Sequence, residues 1–101
     1  MNVEMLTNTQ ARLVLQGRLD VETAPKLRLI LLESRNQGVK DFLLEMSQIE
    51  FMDSAGLAAM VSGLKQSKAE GGSLKVEAPS EAVRRVLELT LLDRVIGIVE
   101  G

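Results

Sequence analysis

The sequence contains no cysteine, no histidine, no tryptophan and no tyrosine, and its only aromatic residues are two phenylalanines. Without cysteine there is no disulfide framework and no thiol nucleophile. Without histidine the usual zinc sites, the Ser-His-Asp and Cys-His nucleophile systems and histidine phosphotransfer are excluded. The scarcity of aromatic residues argues against binding of single-stranded nucleic acid by base stacking. The sequence therefore predicts a protein that is not an enzyme and that has no metal or cofactor site.

Basic and acidic residues are nearly balanced, because the chain has 12 basic and 14 acidic residues and a formal net charge of −2. This balance predicts neither direct binding of nucleic acid nor a polybasic membrane surface. Apolar runs such as residues 29–32 are far too short to span a membrane, and residues 1–5 do not resemble a signal peptide. A cytoplasmic protein without membrane insertion is the expectation.

The chain has 101 residues, of which 46% are apolar, and this is enough for one small domain over residues 1–101 with an aliphatic core. The hydrophobic pattern predicts the order β-β-α-β-α-β-α with a short tail. We therefore expect an α/β fold with a mixed, mostly parallel sheet of four to five strands and three to four helices. The predicted strands are residues 3–6, 11–19, 41–46, 73–78 and 96–99. The first two predicted helices are residues 23–36 and 54–70. A third helix begins after Ser80 and is followed by a helical turn at residues 91–95.

Several local expectations accompany this pattern. The first two strands are close enough for an antiparallel hairpin. Thr23 is a candidate N-cap of the first helix, and Gly38 is a candidate to end it. The apolar run 42–44 predicts a strand covered on both faces, with helices on each side of the sheet. Residues 47–51 are predicted to be a linker to the second helix.

The most informative stretch is residues 51–57, Phe-Met-Asp-Ser-Ala-Gly-Leu, where an apolar strand gives way to a helix. The first backbone N–H groups of a helix have no internal partner, and its start carries about half a positive charge. A phosphate on Ser54 would therefore be well placed. From physics alone, however, an N-cap role for Ser54 is the simpler interpretation.

The neighbours of Ser54 also have more than one interpretation. Asp53 is a cap, an acid recognised by a kinase or a contributor to a metal shell. The cap is the simplest interpretation, and a cap that also contacts a partner is the favoured one. Gly56 serves close packing, which is the default, or lets a partner approach the backbone. Asp20 taken alone is a turn residue. Ala58 and Ser62, on the outer face of the second helix, are either solvated positions or small residues on which a partner can lie flat.

Residues 17–99 resemble the STAS domain and, within it, the bacterial anti-sigma factor antagonists. The matching segments are Gly-x-Leu-Asp, Thr-Ala-x-x-Leu, Phe-Met-Asp-Ser-x-Gly-Leu, Gly-Gly and Leu-Asp-Arg-Val-Ile, at residues 17–20, 23–27, 51–57, 71–72 and 92–96. The resemblance implies the STAS fold and a partner switch. The unphosphorylated antagonist binds an anti-sigma factor that is also a serine kinase, and this frees a sigma factor. Phosphorylation by the kinase reverses the binding, and a phosphatase restores it.

By position, the resemblance makes Ser54 the phosphorylated serine, Asp53 the adjacent acid and Asp20 the strand-end aspartate near the phosphoserine loop. It reverses the preference for a purely capping Ser54, because the surrounding residues match beyond what capping requires. The expected partners are a kinase and a phosphatase, and a monomer and a weak dimer both stay open. The expected partner-binding residues are Asp20, Asp53, Ser54, Ala55, Gly56, Ala58 and Ser62.

The chain departs from the family pattern at three places. Ala55 stands where many antagonists have a second serine, and Arg18 replaces a common acidic residue. Leu91 stands in a turn where glycine is common. The alternative function is a STAS scaffold, or a subunit of a lipid transporter, without a phosphorylation switch. A STAS groove for a small ligand is a third possibility, but no glycine-rich phosphate loop supports it.

Overall fold

The secondary structure follows the predicted order of strands and helices. The computed structural model describes residues 1–100. The strands are β1 (Asn2–Met5), β2 (Gln10–Leu19), β3 (Asp41–Met52), β4 (Ser73–Glu77) and β5 (Gly97–Val99). The helices are α1 (Ala24–Asn36), α2 (Ser54–Ala69) and α3 (Glu81–Leu89), and a 3₁₀ turn spans Leu92–Arg94. None of these helices combines the length and the apolar character needed to cross a bilayer.

The five strands form one sheet in the order β1-β2-β3-β4-β5. β1 and β2 are the predicted antiparallel hairpin, and the other neighbouring pairs are parallel. Each helical crossover moves one strand in the same direction across the sheet. Right-handed crossovers of this kind place all the helices on one face. The fold is therefore mixed α/β, as predicted, with a helical layer and an open sheet face.

The prediction that helices cover both faces of β3 is wrong. Buried residues alternate with half-buried ones along residues 41–46, and Leu43 is one of the half-buried ones. Leu43 lies in a groove of about 350 Å³ that Leu6, Lys75 and Val99 also line. An apolar run marks a strand buried on both faces only when a second layer exists. Here the neighbouring side chains of the open face provide the partial cover.

β3 is longer than predicted, because residues 47–51 are strand and not linker. Their polar side chains hide the pattern, but this segment pairs with the second half of β2, where Leu19 lies opposite Met52. Ile49 and Met52 are buried and fix the extension to the core. β4 ends at Glu77 and does not pair with this second half of β3. Where the pairing stops, the Ser80 N–H donates to the Met46 carbonyl at 3.1 Å. The extension carries the chain to the start of α2 beside the end of β2.

α1 buries four residues that recur with a helical period, and Gly38, with φ +103°, follows its end as predicted. In α2 the apolar period is a weaker guide, because Leu57 and Val61 are only half-buried. α2 faces α1 with a strip of small residues that the apolar pattern does not reveal. Arg35 crosses this strip, donating to the Gly63 carbonyl at 2.8 Å and to Ser67 Oγ at 3.2 Å. The buried residues of α1 are Ala24, Leu27, Leu31 and Ser34, and those of the α2 strip are Ala59, Gly63 and Ser67.

The two buried glycines of α2 predict different responses to alanine. A Cβ on Gly56 would overlap the backbone carbonyl of Leu19, which cannot move independently of β2. A Cβ on Gly63 would lie 2.8 Å from Leu31 Cδ1 and 3.1 Å from Leu74 Cδ1, which are side-chain ends that can shift. We expect Gly56→Ala to lower the free energy of unfolding by about 1–3 kcal/mol, and Gly63→Ala to lower it less. Urea denaturation followed by circular dichroism measures both, and equal losses would contradict the assignment.

A second pair of variants tests backbone strain at Leu91, because its φ of +62° lies in the left-handed region that favours glycine. Its side chain is 57% exposed, so little burial is lost on truncation. We expect Leu91→Gly to be at least as stable as wild type, since relief of about 1–2 kcal/mol of backbone strain offsets the entropy cost of glycine. The control is Leu89→Gly at the end of α3, where we expect a loss of about 1 kcal/mol in the same urea experiment. A loss as large for Leu91→Gly would show that the turn is unstrained.

Candidate functional site

The predicted site residues lie where β2 and β3 end side by side. Arg18 is opposite Phe51, and Leu19 is opposite Met52. The carboxyl ends of parallel strands meet at the same edge of a sheet, so Asp20 and Asp53 leave the sheet together. The Asp53 N–H donates to the Leu19 carbonyl at 3.2 Å and ties the start of α2 to the end of β2.

Asp53 is the N-cap of α2. Its Oδ1 accepts the backbone N–H groups of Ala55 at 2.9 Å and Gly56 at 3.1 Å. The cap interpretation of Asp53 is therefore confirmed, and the N-cap interpretation of Ser54 is wrong. Ser54 is the first residue of the helix instead. It is exposed, and within residues 1–100 its hydroxyl has no hydrogen-bond partner.

The cap changes what the helix start offers to an anion. The N–H groups of Ala55 and Gly56 are already bonded to the Asp53 carboxylate, which also balances the positive end of the helix dipole. An anion joined to Ser54 therefore meets a helix start that is occupied. It would stand outside the cap, toward solvent, and not inside a cradle of backbone donors. The expectation that a phosphate on Ser54 is well placed stays a prediction, and it depends on donors other than the N–H groups of Ala55 and Gly56.

Gly56 packs directly on β2. It is buried, and a Cβ at this position would meet both the Leu19 carbonyl and the Leu19 side chain. This agrees with the packing interpretation of Gly56. Because Gly56 is buried against Leu19, its packing role does not test whether it also contributes to a partner surface. That contribution stays a prediction. Ala55, between Gly56 and Ser54, is half-buried.

Asp20 organises the turn that joins β2 to α1. Its Oδ1 accepts the N–H groups of Glu22 at 3.0 Å and Thr23 at 3.2 Å. Thr23 Oγ1 donates to the Arg18 carbonyl at 2.8 Å and accepts the Asp20 N–H at 2.9 Å. Thr23 is the N-cap residue of α1, as predicted, and its carbonyl accepts the Leu27 N–H at 3.2 Å. Because the bonds to Arg18 and Asp20 occupy its hydroxyl, its side chain makes no capping hydrogen bond. Desolvation raises the pKa of Asp20, but the hydrogen bonds from Arg18, Glu22 and Thr23 outweigh it and leave that pKa below its ordinary value.

Arg18 is a site residue whose contacts were not apparent from the sequence. Its Nε lies 3.2 Å from Asp20 Oδ2, and its guanidinium carbon lies 4.1 Å from the centre of the Phe51 ring. The side chain is 59% exposed. Only the register of β2 against β3 brings Arg18 beside Phe51, and the sequence does not contain that register. The result is a positive charge at the strand ends that lead to Ser54.

The outer face of α2 continues the site away from the strand ends. Ser54, Ala58 and Ser62 follow at four-residue spacing, which places them on one side of a helix, and all three are exposed. Ser62 also lines a shallow groove of about 180 Å³ between α1 and α2, together with Arg28 and Leu32. Small side chains on this face leave the helix surface flat. The prediction of an exposed outer face is confirmed.

The site contains few groups for other chemistry. Within residues 1–100, no set of three or more acidic side chains is placed to hold a metal ion. The metal-shell interpretation of Asp53 therefore has no further ligands to support it in this part of the chain. What the arrangement offers is an exposed hydroxyl on a capped helix, beside a half-buried aspartate and an arginine.

Relatives of the chain are known by sequence and by structure. The model of the STAS domain matches residues 2–100. The chain is 36% identical over 98 residues to the anti-sigma-B factor antagonist of Bacillus subtilis, with 96% of this chain and 89% of that protein covered. It is 31% identical over 104 residues to the anti-sigma-B factor antagonist of Staphylococcus aureus, with 100% and 96% covered.

Solved structures of the anti-sigma factor antagonist SpoIIAA have the same fold. The unphosphorylated form aligns with a TM-score of 0.87 at 23% identity, covering 99% of this chain and 86% of that one. The phosphorylated form, from Bacillus, aligns with a TM-score of 0.81 at 21% identity, covering 99% and 89%. Together with the match over residues 2–100, the sheet order and the capped helix start lead to one conclusion: the chain belongs to the STAS domain family.

Proposed function

We propose that this protein is an anti-sigma factor antagonist, a non-enzymatic regulator that is switched by phosphorylation of Ser54. The observation that carries the proposal is the exposed Ser54 hydroxyl, free of hydrogen bonds within residues 1–100, on a helix whose cap is supplied by Asp53. The names of the relatives in Bacillus subtilis and Staphylococcus aureus supply the class of partner. The protein acts in the cytoplasm as a single STAS domain.

In the unphosphorylated state the protein binds an anti-sigma factor that is also a serine kinase, and a sigma factor is released. The flat outer face of α2, with Ala58 and Ser62, and the Asp20 turn form the binding surface. The kinase contributes ATP and its magnesium ion. A new bond forms between Ser54 Oγ and the γ-phosphorus as the bond from that phosphorus to the bridging oxygen of ADP breaks. The serine proton passes to a base of the kinase, and a phosphatase later hydrolyses the ester.

Phosphorylation ends binding through charge. The phosphate adds about −1.5 to −2 charges beside Asp53 on a chain whose formal net charge is −2. Asp53, and not Ser54, holds the first N–H groups of α2, so the helix start does not depend on the serine hydroxyl. The fold therefore stays as it is while the surface becomes much more negative. An interface that fits the neutral serine then loses affinity by repulsion and by the cost of removing water from the phosphate.

Variants of Ser54 separate charge from shape. We expect Ser54→Ala to bind the kinase with an affinity close to that of wild type but to accept no phosphate. Ser54→Asp should bind at least about tenfold more weakly, equivalent to about 1.4 kcal/mol. Ser54→Asn is the matched control, because it has the size of aspartate without its charge. Isothermal titration calorimetry with the cognate kinase measures the affinities, and mass mapping after incubation with ATP locates the phosphate.

Two outcomes of this experiment contradict the proposal. Phosphate on a residue other than Ser54, or on none, would remove Ser54 as the acceptor and favour a STAS scaffold without a switch. Equal affinities of Ser54→Asp and Ser54→Asn for the kinase would show that charge does not control binding.

Variants of Asp53 distinguish its role as the N-cap of α2 from its proposed contact with the kinase. Asp53→Asn keeps a side-chain acceptor for the first turn of α2, so we expect a change in unfolding free energy of no more than a few tenths of a kcal/mol. Asp53→Ala removes the acceptor and should cost about 1 kcal/mol. Both variants remove the carboxylate, so both should be phosphorylated more slowly. If Asp53→Asn were phosphorylated at the wild-type rate, Asp53 would be a cap alone.

A further inference from the structure

Arg18 is a cationic side chain at the joined ends of β2 and β3 that has no part in the switch described above. Its backbone is opposite Phe51, and its guanidinium stacks on the Phe51 ring at 4.1 Å. Its Nε is bonded to Asp20 at 3.2 Å, and the side chain is 59% exposed. The guanidinium is thus held at this edge, yet it remains open to solvent and to a further anion.

Ser54 is within reach of Arg18 by chain geometry. Paired residues of neighbouring strands lie about 4.8 Å apart, so the Arg18 and Phe51 backbones are adjacent. Two residues stand between Phe51 and Ser54, and these three steps of chain span at most about 11 Å. Leu19 and Asp53, the chain neighbours of Arg18 and Ser54, are joined by the backbone hydrogen bond of 3.2 Å, which keeps the two backbones close. The backbone donors of Ala55 and Gly56 are bonded to Asp53, so they are not available to a phosphate at this position, and a nearby cation can bind it instead.

We propose that Arg18 is a phosphate-binding residue, whose guanidinium moves from the Asp20 carboxylate to the phosphate monoester when Ser54 is phosphorylated. The proposal rests on the proposed function, because it concerns the phosphorylated state of the same serine. A phosphate monoester carries more charge than a carboxylate and three acceptor oxygens, and it matches the planar fork of an arginine. The Phe51 ring holds the guanidinium near the strand ends during the exchange.

The loss of Arg18 does not collapse the turn that Asp20 organises. Asp20 Oδ1 keeps the N–H groups of Glu22 and Thr23, and only Oδ2 loses its partner. The freed Oδ2 becomes available to water or to a binding partner. Phosphorylation of Ser54 thereby changes a second position of the proposed binding surface, the Asp20 carboxylate, through the motion of one side chain.

The test uses the full chain with phosphoserine introduced chemically at position 54, and ³¹P NMR to follow the pKa of the phosphate. Arg18 lowers the pKa of the phosphate, and the carboxylates of Asp53 and Asp20 raise it. Charged groups of the neighbouring groove beside Phe51 also act on it, and they are the same in every variant: Glu50, Glu81 and Arg85. We expect Arg18→Gln to raise the phosphate pKa by about 0.5–1 unit relative to wild type, at the low end for a neighbouring arginine because the site is exposed. Arg18→Lys should give an intermediate value, since it keeps the charge and loses the fork.

Arg94→Gln is the matched control, because it removes one exposed positive charge at the 3₁₀ turn, far along the chain. We expect it to leave the phosphate pKa unchanged, and we expect the Arg18 Nε–H resonance of the wild type to titrate together with the phosphorus. Equal phosphate pKa values for wild type and Arg18→Gln would overturn the proposal, as would an equal shift in Arg94→Gln. Because no kinase is used, this result is independent of whether a kinase phosphorylates Ser54.

Discussion

The contact between the start of α2 and the Leu19 carbonyl is the constraint on which the rest of the site depends. This oxygen accepts the Asp53 N–H, and it lies where only a residue without a side chain can approach, so Gly56 is required there. The hydrogen bond fixes the direction in which the chain leaves β3. The absence of a Cβ on Gly56 lets the first turn of α2 lie directly on β2. Together they orient Asp53 toward the helix backbone and leave Ser54 facing outward.

This geometry divides two tasks between adjacent residues. Asp53 satisfies the unpaired N–H groups of the helix start, a task that serine often performs in other helices. The helix start therefore does not need the Ser54 hydroxyl as a hydrogen-bond acceptor. In the proposed switch, a modification of Ser54 alters the surface charge without removing a hydrogen bond on which α2 depends. The Asp-Ser order in the sequence therefore has a physical meaning that neither residue has alone.

The helices were predictable from the sequence because their apolar residues recur with a helical period, and α1 buries the four residues that this period selects. The second half of β3 was not predictable. Its residues Ser47, Gln48 and Glu50 are polar and exposed, and the segment becomes a strand through its pairing with β2. The open face of the sheet was missed for a related reason, since an apolar run does not reveal whether a second layer or only a groove covers it.

The same distinction applies to the site. Asp53, Ser54 and Gly56 are neighbours in the chain, so their local roles could be inferred from the properties of a helix start. The contacts of Arg18 with Phe51 and Asp20 depend on the register between two strands, which a single sequence does not contain. The position of Thr23 as the N-cap of α1 could be predicted, but the partners of its hydroxyl could not, because a threonine before a helix can bond to either side and here it bonds to the preceding turn.

The extension of β3 has a consequence for how a kinase would recognise Ser54 in the proposed switch. Ser54 does not sit in a flexible loop that an enzyme could draw into an extended conformation, because a paired strand precedes it and a capped helix follows it. Its surroundings are assembled from β3 and α2, which are consecutive in the chain, and from β2, which α1 separates from them. A kinase acting on Ser54 must therefore recognise a conformational epitope and not a linear motif. Loss of the native fold would remove the recognition site together with the fold, which makes folding itself a condition of the regulatory signal.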